Sequence, residues 1–194
     1  MIIPIKINDL LIKPLTPETW NDFEILFGPK GAYAGCWCMW WRLSRKDFEK
    51  GQGQGNHQAM KELVASGTIP GLIAYSDNTP CGWCSVAPRE HFSSLERSRV
   101  LKRIDDKAVW SIVCFFILKG YRGKGLGEKL IRGAISYVKS NGGRIIEAYP
   151  TVVRSPHAPP VSTFMGIPQI FKRTGFEEVK RPSNSKVIMR YYID

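Results

Sequence analysis

The sequence predicts an α/β fold: a mixed, twisted sheet flanked by helices, in one domain over residues 1–194. Three observations carry that expectation. Residues 109–118 are rich in β-branched and aromatic types without strict alternation, as in a strand covered on both faces. A buried helix of that length is the alternative, and the glycines that follow weigh against it. After the string Arg122-Gly123-Lys124-Gly125-Leu126-Gly127, apolar residues recur at helical spacing (Leu126, Leu130, Ile131, Ala134, Ile135, Val138), and Asn141-Gly142-Gly143 supplies a stop. Residues 144–149 read as the next strand, and a helical crossover makes it parallel to the first.

Taken in order, residues 10–15 form the first predicted strand. Thr16 serves as N-cap and Pro17 as first helical residue of a helix whose stripe is Trp20, Phe23, Leu26 and Phe27. Residues 33–42 are the densest aromatic stretch: Trp37, Trp40 and Trp41 are three of the six tryptophans. Such a cluster either packs in a core or walls a pocket. Gly51-Gln52-Gly53-Gln54-Gly55 has no strand before it and reads as a mobile linker. Asn56 then caps a second helix with Met60, Leu63 and Val64 inward and His57 facing solvent. Residues 69–75 and 80–87 make an antiparallel hairpin about Ser76-Asp77-Asn78-Thr79. Residues 88–99 form a short helix, and the proline-rich residues 151–162 an irregular loop. Residues 164–174 are the last helix, its start blurred by Pro168. Residues 176–180 and 186–192 close the chain as a hairpin.

The glycine string leaves a helix N-terminus without side chains, where free amides and the positive end of the dipole favour an anion. Lys119, Arg122, Lys124 and Lys129 add charge. The spacing fits neither a triphosphate loop nor a dinucleotide fingerprint. It resembles R-x-x-G-x-G of the GNAT N-acetyltransferase superfamily, matched by Arg122, Gly125 and Gly127, and Gly175-Phe176 is similar to that family's helix-end signature. The resemblance implies acetyl-CoA as acyl donor, in a cleft between two splayed parallel strands. It assigns the pantetheine arm to the backbone of Phe115, Phe116 and Ile117, with Phe115 N–H on the thioester oxygen, and the pyrophosphate to Arg122, Gly123, Lys124, Gly125, Leu126 and Gly127. It also makes Tyr33, Trp37, Met39 and Trp40 walls of the acceptor pocket.

Composition bounds the rest. A net charge of +11, from 28 cationic and 17 anionic side chains, suits a polyanionic ligand, but no run of cations or motif indicates nucleic acid. No apolar run reaches the ~20 residues of a membrane span, and no secretion signal is evident, so a cytoplasmic protein is expected. Five cysteines, an odd count, fit reduced, buried thiols. Cys36-x-Cys38 with Cys81-x-x-Cys84 lacks the turn context of zinc, so no metal is expected.

Acetyl transfer needs a neutral amine, a polarised thioester and a proton for the thiolate. Glu147 is the first candidate base, or else a carboxylate paired with a cation. His157 is the second, and Tyr149, sharing the face of Glu147, is a candidate acid. The resembled family's usual tyrosine aligns with Phe171, which has no proton to give, and a glutamate of some members aligns with Ser111. The expected activity is transfer of acetyl to a primary amine, of a small molecule rather than a protein tail, by direct attack. The alternative is a CoA-binding sensor without turnover. A homodimer is compatible with the sequence and not legible in it.

Overall fold

The computed structural model describes residues 4–7, 9–153 and 160–194. In chain order its strands are β1 (Ile5–Ile7), β2 (Leu10–Pro14), β3 (Leu72–Ser76), β4 (Thr79–Pro88), β5 (Trp110–Ile117), β6 (Ile145–Ala148), β7 (Glu177–Ser183) and β8 (Lys186–Tyr192). The helices are α1 (Trp20–Phe27), α2 (Arg45–Lys50), α3 (Gln54–Ala65), α4 (Ser93–Glu96), α5 (Leu126–Ser140) and α6 (Pro168–Lys172). Among the described residues one sheet takes these eight strands in the order β1-β2-β3-β4-β5-β6-β8-β7, and only the β5–β6 pair is parallel.

The mixed sheet follows from its connections. Short turns at Asp77-Asn78 and around Asn184 allow antiparallel hairpins, whereas β5 reaches β6 only through α5, a crossover that returns the chain in the same direction. The apolar stripe of α5, Leu126, Leu130, Ile131, Ala134 and Val138, is buried against Ile12, Ala74, Ile112 and Ile146 on one face of the sheet. Gly133 allows the close approach, since a Cβ there would stand 2.5 Å from Ile12 Cδ1. The other face is covered by α1, α3 and the aromatic segment, whose Phe23, Phe27, Trp37, Met39 and Met60 enclose Trp83 of β4.

Three expectations need correction. The final helix begins at Pro168, at its N1 position, because proline has no amide to bond backwards, and residues 164–167 lie outside it. Asn56 does not cap α3 but lies within it, fully buried, and its amide donates to Gly35 O (3.1 Å) and Phe48 O (3.3 Å). His57 is not a solvent-facing residue: its Nε2 lies 2.7 Å from Glu24 Oε1 and its ring meets Trp37 edge-on at 4.5 Å. Strand β1 escaped the sequence reading, since three residues are too few to show a period.

Candidate active site

The parallel pair parts after three rungs, Trp110↔Ile146, Ser111↔Glu147 and Ile112↔Ala148. On its other side β5 carries a bulge: Ser85 pairs with Cys114 and Val86 with Ile112, which leaves Val113 as the extra residue and bends the strand. Beyond the bulge, Phe115 N–H points into the gap and donates to Phe164 O at 2.6 Å, while Thr151 N–H donates to Gly166 O at 3.0 Å. Residues 164–166 thus stand between the diverging strands. By strand alternation Phe116 directs its amide to β4, so Phe115 and Ile117 are the residues whose backbone faces the gap.

Two cavities meet here. The smaller, about 430 Å³, is lined by Tyr121, Arg122, Gly123, Gly125, Leu126, Gly127, Glu128 and Arg173. Gly125, at φ 75°, makes the left-handed turn into α5 that a side chain would strain. Arg122 Nε is bonded to Ile117 O (2.8 Å), which ties the loop to β5. Of the four cations near the string, Lys129 is held by Asp9 (2.6 Å), whereas Arg173, from the end of α6, lines the cavity and pairs with Glu128 (3.0 Å). Arg173 was not singled out from sequence because it lies 46 positions beyond Gly127.

The larger cavity, about 550 Å³, is walled by Phe27, Tyr33, Cys36, Cys38, Trp40, Phe48, Cys114, Phe116, Val161 and Phe164. Phe115, Ile117, Arg122 and Thr163 line both cavities. Of the four proposed wall residues, Tyr33 and Trp40 line it; Trp37 and Met39 do not. Trp37 stacks on Phe27 (5.8 Å, 13°) and both are buried in the core, because the segment turns repeatedly through left-handed residues, Ala32, Ala34, Trp37 and Cys38 among them. Among the described residues its wall holds no aspartate, glutamate or histidine.

Glu147 and Tyr149 also need correction as proton-transfer groups. Glu147 is 1% exposed: Oε1 accepts from Arg190 Nε (2.9 Å) and Nη2 (2.7 Å), and Oε2 from Arg89 Nη1 (3.1 Å) and Tyr149 OH (2.7 Å). Tyr149 is fully buried, its hydroxyl also within 2.8 Å of Ser111 Oγ, and burial beside Glu147 pushes its pKa up. Neither lines either cavity. His157 lies outside the described residues. Phe171 is fully buried, 5.9 Å from Phe115 and 5.1 Å from Phe176, so its ring packs under the gap.

An open mixed sheet with one splayed parallel pair, its gap running onto a glycine-rich helix start, is the architecture of one enzyme class, and the comparisons agree. The model of the acetyltransferase (GNAT) family matches residues 37–158, and the chain belongs to that family. Over 78 residues it is 33% identical to an uncharacterized N-acetyltransferase of Methanocaldococcus jannaschii, a match covering 40% of this chain and 30% of that protein. Its fold is similar to a GNAT-family acetyltransferase of Streptococcus agalactiae (TM-score 0.58, 12% identity, 98% of this chain and 99% of that one). It is also similar to the PaiA N-acetyltransferase of Thermoplasma acidophilum in complex with coenzyme A (0.53, 16%, 95% and 99%). YncA of Salmonella typhimurium, solved with acetyl-CoA, scores 0.52 at 14% identity over 96% and 95%. Among the described residues no helix is long and apolar enough to cross a membrane.

Proposed function

We propose that this chain transfers the acetyl group of acetyl-CoA to the primary amine of an apolar small molecule, by direct attack with both substrates bound. The observation that carries the reading is the junction of the two cavities. The smaller ends on the first turn of α5, where three glycines and the cations Arg122 and Arg173 fit a pyrophosphate. The larger, at the far end of the same β5 segment, is aromatic and deep enough to take an acceptor. Thioester carbonyl and amine would then meet beside Phe115, whose amide is the available oxyanion donor once Phe164 releases it.

Titration calorimetry of acetyl-CoA at two salt concentrations tests the donor half. The expected result is micromolar binding that weakens with salt and falls at least ~10-fold in Gly125→Glu, which puts a carboxylate in the cradle. Equal binding by the variant would remove the basis of the assignment. A CoA-binding sensor is the second reading, favoured by Phe171 and by the engagement of Glu147. Thiol release with a panel of amines separates the two, because a sensor binds CoA without turnover.

A further inference from the structure

The larger cavity has an inner and an outer end. Cys114 and Phe116 stand on the face of β5 opposite to Phe115 and Ile117: the first pair packs with α1 and the aromatic segment, the second with α5. They line the larger cavity and flank Phe115, whose N–H points into the gap. Phe27 and Cys38, both buried, complete this inner end. The Phe27 ring lies 5.4 Å from Phe116 and 5.8 Å from Trp37, and Cys38 Sγ accepts from the indole of Trp83 (3.2 Å), the residue opposite Phe116 in the β4–β5 register. The outer end is open to solvent. Tyr33 (61% exposed) and Trp40 (42%) rim it together with the exposed Val161 and Gln52.

The two ends stand differently to the thioester. An oxygen held on Phe115 N–H fixes the carbonyl carbon where the cavities meet, with its sulfur toward the smaller one, because the pantetheine arm arrives from the glycine turn. The remaining substituent of that carbon, the acyl group, then points into the inner end between Cys114 and Phe116. Acetyl puts a single methyl there. The cavity is about 550 Å³, the size of sites that enclose whole small molecules. Its inner walls are backed by Trp37 and Trp83, which are packed in the core and cannot close down on a methyl.

We propose that the inner end is an acyl pocket, and that the protein accepts, besides acetyl-CoA, donors with a saturated acyl group from butanoyl to octanoyl. The inference rests on the transfer reading above and names its donor class. A neutral amine enters by the outer end and its nitrogen bonds to the carbonyl carbon. The carbon–sulfur bond breaks, and the proton that nitrogen gives up goes to the departing thiolate, so the products are an N-acyl amide and free CoA. The acyl group keeps the inner end throughout, and the body of the amine lies against Tyr33 and Trp40.

Calorimetric titration with acetyl-, butanoyl-, hexanoyl- and octanoyl-CoA tests the pocket without any acceptor. Each buried methylene should lower the dissociation constant ~3-fold, so hexanoyl-CoA should bind at least ~10-fold more tightly than acetyl-CoA. Cys114→Phe, which fills the inner end, should bring that ratio to about 1, and Cys114→Leu to an intermediate value. Equal affinity across the wild-type series overturns the proposal and returns the inner end to the acceptor, with the CoA assignment intact. A gain that survives in Cys114→Phe overturns it as well, since the acyl group then lies elsewhere. Should both variants fail to fold, nuclear Overhauser contacts from the methylenes of bound hexanoyl-CoA to the Phe27 and Phe116 rings take their place, and their absence has the same force. Thiol release with an arylalkylamine then reads transfer: hexanoyl-CoA should support a kcat/KM no lower than that of acetyl-CoA. A wild type that binds hexanoyl-CoA and transfers only acetyl refutes the donor class, whereas one that binds no acyl-CoA of any length refutes the transfer reading itself.

Discussion

Four donors from three side chains close around the Glu147 carboxylate, and Arg190 reaches on to Asp105 at 2.7 and 2.8 Å. The guanidinium beside Asp105 holds that carboxyl down, to about 2. A carboxylate so placed has no lone pair directed at a substrate. Its work is to make two buried arginines tolerable between β6, β8 and the turn that precedes α4. Glu147→Gln should therefore cost ~3–5 kcal/mol of stability, read from the denaturant midpoint, and leave acetyl-CoA affinity unchanged. A variant of native stability that had lost turnover would return Glu147 to the role of base. Position on the strand beside the gap pointed to this residue, but strand position does not say which face its neighbours occupy. Arg89 lies 58 residues away and Arg190 43, so no local pattern shows that they converge.

At the scale of elements, the junction of β5 with residues 164–166 is the one that binding must alter. Phe115 N–H can serve either Phe164 O or a thioester oxygen, since an amide has one proton. Acetyl-CoA should therefore displace the Phe164 carbonyl, seen as a large amide shift at Phe115 and as changed hydrogen exchange over 160–166, with β3 and β4 unaffected. An unchanged Phe115 amide at saturating acetyl-CoA would mean that the carbonyl is polarised by another donor. The elements themselves were largely legible: α5, the β3–β4 hairpin and the β7–β8 hairpin lie where periodicity, glycines and turn residues put them. Residues 164–167 were misread because apolar content alone does not separate a helix from a segment packed between strands. Pro168 was the signal that could have settled it.

For the molecule as a whole, the two cavities differ in polarity. The smaller is bordered by Arg122 and Arg173, and the larger mostly by rings and thiols with Arg122 where the two meet, so on the proposed reading one end would take a polyanion and the other an apolar body carrying one amine. An arylalkylamine should exceed a polyamine such as spermidine by at least ~10-fold in kcat/KM, because a second ammonium group would be buried against aromatic walls without a partner. Equal rates would place the acceptor outside this cavity. Sequence by itself determined the strand–glycine–helix unit, the anion-binding helix start and the family, since these depend on residues close together in the chain. It also located the aromatic segment, without deciding between packing and pocket. Tertiary structure alone decided that Trp37 and Met39 turn inward while Tyr33 and Trp40 line the cavity, that Glu147 is held by distant arginines, and that the Trp83 indole donates to Cys38 Sγ. The physical reason is the same in each case: charge and burial are set by whichever groups the sheet brings together across tens of residues.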